Sequence, residues 1–221
     1  MNKLYYIIIC ITLFCCTNTF AQSGTIKYWS INENIDYKKE FTLTFNRNES
    51  FLVYDLKPFS FKTKQGFTVN SPGQYSAVYM DTKSKEAVLY KRKHRGQLLK
   101  AKFDLQSKKW TIHKEFKTIA GYKVQKATLS YNYSPKTSEP SGMGNIEVWF
   151  APKIPVNAGP NVLDGNLDFV QWGLPGLILE VSYVATAWKV KAFDIQLSKT
   201  PIAFPIPKEK TKEVSYDKFW Y

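Results

Sequence analysis

The feature that most constrains this chain is a period of two in its apolar residues. Phe41, Leu43 and Phe45 alternate with Glu40, Thr42, Thr44 and Asn46, and Leu99, Ala101, Phe103 and Leu105 alternate with Leu98, Lys100, Lys102 and Asp104. Trp110, Ile112 and Phe116 stand among Lys109, Thr111, His113 and Glu115 in the same way. Successive side chains of a strand point to opposite faces, so each pattern describes a half-buried strand with one apolar and one wet face. Further runs rich in β-branched and aromatic residues occupy 26–31, 51–56, 75–80, 87–90, 122–133, 146–150, 177–184 and 187–197. The connections 46–50, 81–85, 93–97 and 106–108 are short and polar, as hairpin loops are. The chain therefore reads as all-β, an antiparallel meander, with no amphipathic helix of ordinary length after the amino-terminal segment.

Alternation slips at two places, between Val190/Ala192 and Phe193/Ile195/Leu197, and between Tyr122/Val124 and Ala127/Leu129/Tyr131. One extra residue in a strand moves all following side chains to the other face, so each slip predicts a β-bulge. Bulges let a large sheet curl, and the expected architecture is a strongly curved sheet, a half-barrel or incomplete barrel. Two stretches are too long for hairpins: 134–144, with Pro135, Pro140, Gly142 and Gly144, and 152–173.

The first 21 residues have the three parts of a cleavable signal peptide: Lys3, an apolar stretch over 4–14, and small or polar residues leading to Ala21. The apolar stretch is shorter than the roughly 20 residues that a bilayer span needs. Cleavage after Ala21, with Thr19 two positions before it, would make Gln22 the first mature residue. Phe14 and Cys15 are too bulky for a lipoprotein signal ahead of Cys16. Cys10, Cys15 and Cys16 are the only cysteines, so the mature chain would hold no disulfide, thiolate metal ligand or cysteine nucleophile. The reading is a leader over 1–21, one β domain over 22–199, and a basic, Pro-containing tail over 200–221, extended and solvated except where Phe219, Trp220 and Tyr221 dock.

The formal charge is +13. Without Lys3 the chain keeps 30 basic and 18 acidic residues, or +12. Export removes such a chain from most nucleic acid, so the partners implied are envelope components: anionic lipid headgroups, acidic glycans or an acidic protein. The densest basic run, Lys91, Arg92, Lys93, His94 and Arg95 beside Tyr90, is a candidate for peripheral contact with an anionic membrane.

Residues 173–178 read GLPGLI and continue into Leu179 and Glu180. Upstream, 117–127 read KTIAGYKVQKA and 148–160 read VWFAPKIPVNAGP. The three segments, in this order behind a signal peptide, resemble the GLPGLI family. That resemblance implies an exported protein of two-membrane bacteria with a mostly β fold, and it implies no catalytic residues. Two departures stand out: Val124 occupies a position where relatives often carry cysteine, and the run 161–172 is longer than usual. Pro175 has no N–H to donate and so marks a turn entering a strand, with Gly173 and Gly176 flanking it where the chain needs unusual dihedrals or a close backbone approach. Leu177, Leu179 and Val181 would then share one face.

The residues that carry chemistry are sparse. His94 and His113 lie in different contexts, and no metal-ligand spacing accompanies them. Asp164, Asn166 and Asp168 begin like a calcium loop, but Phe169 stands where glycine is needed. No GxSxG occurs, and Ser141 reads as a turn residue. Glu147 and Glu180 sit in apolar strands and are expected to face the wet side. No catalytic residue, metal or cofactor is therefore assigned. The expected function is that of a non-enzymatic envelope scaffold binding an apolar or lipid ligand or an outer-membrane protein, with Trp149, Trp172, Gly173, Leu174, Pro175, Gly176, Leu177 and Ile178 as the candidate contact residues. The rivals are an exported hydrolase using Glu147, Glu180 or Asp168, and an accessory subunit of a membrane complex.

Overall fold

The computed structural model describes residues 23–32, 34, 37–62, 65–71, 73–92, 96–105, 108–129, 146–160, 172–183 and 187–219. The expected leader over 1–21, the stretch 134–144 expected as a long loop, residues 161–171 with Asp164, Asn166 and Asp168, the basic residues 93–95, and Trp220 and Tyr221 lie outside the described residues.

Among the described residues fourteen strands follow one another: β1 (Ser23–Asn32), β2 (Tyr37–Phe45), β3 (Glu49–Leu56), β4 (Phe59–Lys62), β5 (Thr68–Ser71), β6 (Gln74–Asp81), β7 (Glu86–Arg92), β8 (Leu99–Asp104), β9 (Thr111–Ile119), β10 (Tyr122–Leu129), β11 (Ile146–Ala151), β12 (Leu177–Tyr183), β13 (Trp188–Ser198) and β14 (Lys212–Glu213), before a helical turn, α1 (Tyr216–Phe219). Twelve strands form one sheet in the order β14-β8-β7-β6-β3-β2-β1-β13-β12-β11-β10-β9, and β4 and β5 form a separate hairpin. All pairings in the large sheet are antiparallel except β14 with β8. The expected all-β meander is thus present, as two meanders joined where β1 pairs with β13.

The order of strands dictates the curvature. The connection expected as a hairpin at 106–108 does not pair β8 with β9, because these two strands lie toward opposite ends of the sheet. Ten inter-strand steps of about 4.8 Å would hold them roughly 48 Å apart if the sheet were flat. The seven steps from Asp104 to Thr111 reach at most about 25 Å even when fully extended. The sheet must therefore curl until its ends approach, and it remains open, since β9 pairs with β10 alone among the described strands. The shape is that of an incomplete barrel.

Bulges supply the curl. Both expected slips are present: Phe193 is extra where Ala192 opposes Tyr28 and Asp194 opposes Lys27, and β9 and β10 lose register between Gln125 and Ala127. A third shift lies where Trp149 opposes Glu180 but Phe150 opposes Ile178, leaving Leu179 as the extra residue. It breaks the regular alternation expected for Leu177, Leu179 and Val181, although all three are buried.

The inner face repays the alternating pattern. Ile195, Ile26, Leu43, Leu52, Val78, Leu89 and Ala101 stand opposite one another across seven strands, and cross-strand partners share one face. Tyr28, Phe45, Met80, Leu89, Phe150 and Phe219 fill the interior, each fully buried. A second, smaller apolar cluster lies on the other side of β3, β6 and β7, where Phe51, Ala77, Tyr90 and Leu98 are covered by Phe204. Leu98, read as a wet-face residue, is buried there. The tail is extended and largely exposed over 201–211 but does not float free. Asn46 bonds Ile202 through both its amide atoms, Phe204 packs on Phe51 and Tyr79, β14 adds to β8, and Phe219 enters the main core.

Candidate functional site

The three recurrent segments meet in space. Tyr122 to Ala127 of the first segment belong to β10, its Lys117 lies on β9, and the second segment supplies most of β11 and the chain leaving it. Beyond β11 the backbone turns at 152–154, and Ile154 and Ala158 accept hydrogen bonds from the amides of Leu177 and Ile178, both at 3.0 Å. The first two residues of β12 are thereby tied to the second segment. Gly159 lies against Ile178 so closely that a Cβ there would fall 2.7 Å from the Ile178 Cδ1.

The turn ahead of β12 is held from three further directions. Asn157 Oδ1 accepts from the Gly173 amide, and Trp110 Nε1 donates to the Trp172 carbonyl at 2.7 Å. Tyr28 Oη, on β1, donates to the Ile178 carbonyl at 2.7 Å inside the core. Gly173 has φ +96°, a region open to glycine at little cost. Gly176 serves the other purpose expected of it: a Cβ would lie 2.4 Å from the Ala151 carbonyl oxygen.

Trp149, Trp172, Leu174, Gly176, Leu177 and Ile178 are buried, while Gly173 and Pro175 are exposed. Of the eight candidate contact residues, six are enclosed by the fold, and only Gly173 and Pro175 present surface. Sequence reasoning passed over Tyr28, Trp110, Lys117 and Asn157, which hold these segments together. Lys117 and Asn157 lay within the recurrent segments; Tyr28 and Trp110 had only the general signal that buried phenols and indoles seek acceptors.

Charged groups gather around Trp149. Glu180, directly opposite Trp149, is 3% exposed, not on a wet face as its alternation suggested, and Lys117 Nζ donates to its Oε1 at 2.7 Å. The same Nζ lies 4.1 Å from the Trp149 ring centroid. Glu147 remains partly exposed, as expected; it accepts from Trp149 Nε1 at 3.0 Å and pairs with Lys126 at 3.1 Å. Lys126 also reaches Glu115 at 3.3 Å. Partial burial of Glu147 works against its charge, yet the hydrogen bonds from Lys126 and Trp149 and the lysine charges hold its carboxyl below the usual range. The hydrogen bond to Glu147 in turn raises Lys126. Each carboxylate of the cluster thus has a cation in contact, an arrangement suited to holding strands together. A general acid at neutral pH needs the opposite, a carboxyl raised by burial without a cation.

The basic run beside Tyr90 is less available than its sequence suggests. Tyr90 is buried against Phe51, Lys91 is buried and lies toward the Phe219 ring, and Arg92 pairs with Glu209 of the tail. His113 contacts Thr128 across the strands at 2.8 Å. No group of three or more His, Cys, Asp or Glu suited to a metal occurs among the described residues.

Tyr28 gives a pH test of this arrangement. Burial pushes its phenol well above the ordinary value of 10. A raised folded-state pKa contributes stability that is intact below about pH 10 and declines as pH rises from there, because the unfolded chain releases the proton first. Alkaline unfolding followed by circular dichroism, with tyrosinate absorbance in parallel, is expected to fall more gently with pH above 10 in Tyr28→Phe than in the parent. Identical slopes would place the Tyr28 hydroxyl in water.

The fold and this cluster define an open, curled antiparallel sheet whose signature turn is a structural junction. No protein-family model matches the chain, and no curated protein matches it. Two structures of PNGF-II, in C2 and P21 space groups, are similar to it in fold, with TM-scores of 0.58 and 0.59 at 18% identity over 90% of this chain. The chain spans 32% of the PNGF-II chain.

Proposed function

We propose that this chain is an exported protein of the bacterial envelope, related to the GLPGLI family, and that it acts as a non-enzymatic scaffold docking an outer-membrane partner protein along the open seam of its sheet. One observation carries the reading. β9 ends the sheet, and its Ile112 and Phe116 are 47% and 50% exposed although the sequence pattern gives them an apolar face to bury. Their cross-strand partners are Ala127 and Gln125, so both stand on the side continuous with Val148 and Phe150 of the inner face. The Lys123 ammonium of the neighbouring strand lies 4.4 Å from the Phe116 ring centroid, yet both apolar side chains keep about half their surface exposed where the barrel stops. Edges of this kind are where sheets accept partners.

The seam adjoins the signature junction, since Trp110 immediately precedes β9 and bonds Trp172. That gives the GLPGLI turn a role in fixing the working edge, with Gly173 and Pro175 as its exposed rim. An apolar ligand in the concavity is less favoured, because Tyr28, Phe150 and Phe219 occupy the interior as core. The hydrolase reading is less favoured as well, since Glu147 and Glu180 are both paired with lysines.

The test replaces the exposed pair together. Ile112→Ser/Phe116→Ser is expected to keep the parent melting temperature within about 4 °C, since exposed substitutions change stability by about 0.5 kcal/mol or less each. Retention of the purified mature protein on outer-membrane vesicles stripped of peripheral proteins is expected to fall at least tenfold. Unchanged retention by the double variant would remove the seam from the function.

A further inference from the structure

We propose a second binding surface, independent of the seam: the outer face of β13, β1 and β2 takes an acidic polysaccharide, with the Phe193 ring, backed by Trp29, as its platform and Lys38, Lys189 and Lys191 as its cationic contacts. Phe193 is the extra residue of the β13 bulge, inserted between Ala192, which opposes Tyr28, and Asp194, which opposes Lys27. The core makes no use of it. It lies 39% exposed on the wet face, stacked on Trp29 with ring centroids 4.5 Å apart and planes 17° from parallel. The two rings thus stack face to face on a surface where alternation calls for polar residues, and with Lys38 over Trp29 the uncovered ring face is that of Phe193 turned away from Trp29.

The charges around this platform are mixed but mostly cationic, with Glu40 opposite Trp29 on β2 and Asp194 next to Phe193. Lys191 stands directly opposite Trp29, while Lys189 and Lys38 oppose Ile31 on its two sides. Lys38 Nζ sits 4.2 Å from the Trp29 ring centroid. Lys27 is engaged by Glu40 at 3.3 Å, and Asp194 is held by Gln196. Lys38, Lys189 and Lys191 have no acidic partner among the described residues. The β2 and β13 lysines stand on strands about 10 Å apart, with Trp29 and Ile31 between them.

The chemistry of this surface selects its ligand. The open face of Phe193 accepts the C–H face of a pyranose, and the lysines near it meet carboxylate or sulfate groups along a chain. A ring that anchors a protein in a membrane must project into the lipid boundary, with cations set back at the rim. Here Phe193 lies against Trp29 and Lys38 covers Trp29, so neither ring projects as an anchor and one face of Phe193 is left for stacking. The overall charge of +13 would draw any polyanion toward the protein, so the aromatic pair is what distinguishes this site from general attraction.

The experiment measures binding of chondroitin sulfate by calorimetry, with neutral dextran as comparison. Phe193→Ser and Lys38→Gln/Lys191→Gln are each expected to weaken binding at least tenfold at unchanged melting temperature, while Lys153→Gln, an exposed lysine away from this face, leaves it within twofold. Dextran is expected not to bind. Equal losses from Lys153→Gln and the face variants, or no effect of Phe193→Ser, would reduce the interaction to net charge and overturn the proposal. Binding to phosphatidylglycerol vesicles or to a polyglutamate peptide that depends on Phe193, without binding to chondroitin sulfate, would overturn it in favour of a membrane or a protein.

Discussion

Gly176→Val is expected to destabilise the fold by about 3 kcal/mol, lowering the melting temperature by about 6–12 °C for a chain of this length. The cause is steric. A Cβ at position 176 would meet the Ala151 carbonyl oxygen at 2.4 Å, its carbon at 2.8 Å and the Pro152 Cα at 3.0 Å. All three are backbone atoms, so no rotamer change can relieve the contact. Ala151 ends β11 opposite Leu177, the first residue of β12. Pushing the two chains apart would strain the bonds from Leu177 and Ile178 to Ile154 and Ala158. Pro175→Ala, one residue earlier but exposed, is expected to stay within about 1 kcal/mol of the parent. Urea denaturation of both variants checks the contrast. Equal midpoints for Gly176→Val and the parent would mean that the signature turn is not packed in this way.

That contrast shows what the sequence made legible. Pro175 and the two glycines identified a turn entering a strand, because their restrictions are local and do not depend on the rest of the chain. The same holds for the inner row from Ile26 to Ala101, whose alternation the sheet follows residue for residue. The slips at Phe193 and at Gln125 were visible as changes of parity, and they became bulges.

Features that depend on distant parts of the chain were not legible. Residues 106–108 have the composition of a hairpin loop, yet they join strands toward opposite ends of the sheet; composition fixes a loop's polarity and not the strand on its far side. Ile112 and Phe116 alternate as a buried face should, but burial needs an opposing layer, and β9 lies at the seam. The hairpin of β4 and β5 lacks clean alternation and went unread. Glu180 looked like a wet-face residue because nothing in its neighbourhood along the chain shows that Lys117, 63 residues earlier, covers it.

The Lys117 and Glu180 pair gives the second large effect, and its two halves are unequal. The Glu180 side chain is 5% exposed and that of Lys117 35%. Removing the lysine leaves a carboxylate enclosed beside an indole, with its main cation gone. Lys117→Met also loses the lysine contact with the Trp149 ring, itself about 0.5–1 kcal/mol. Breaking a buried pair this way costs about 3–5 kcal/mol, and the partial exposure of the lysine places the expected loss near the lower figure. Glu180→Gln keeps the shape and an acceptor oxygen, and the remaining ammonium can turn toward water, so a loss of about 1 kcal/mol is expected. The reading from sequence alone, a surface glutamate, predicts almost no change for either substitution. Replacing both at once, as Lys117→Met/Glu180→Leu, removes the enclosed charge and is expected to recover most of the loss seen in Lys117→Met, because an apolar pair of similar volume commonly matches a buried ion pair. Chemical denaturation of the three variants measures all three terms. If Lys117→Met and Glu180→Gln lose the same amount, or if the double variant loses the sum of the two, Glu180 is solvated and the pair does not hold β9 against β12.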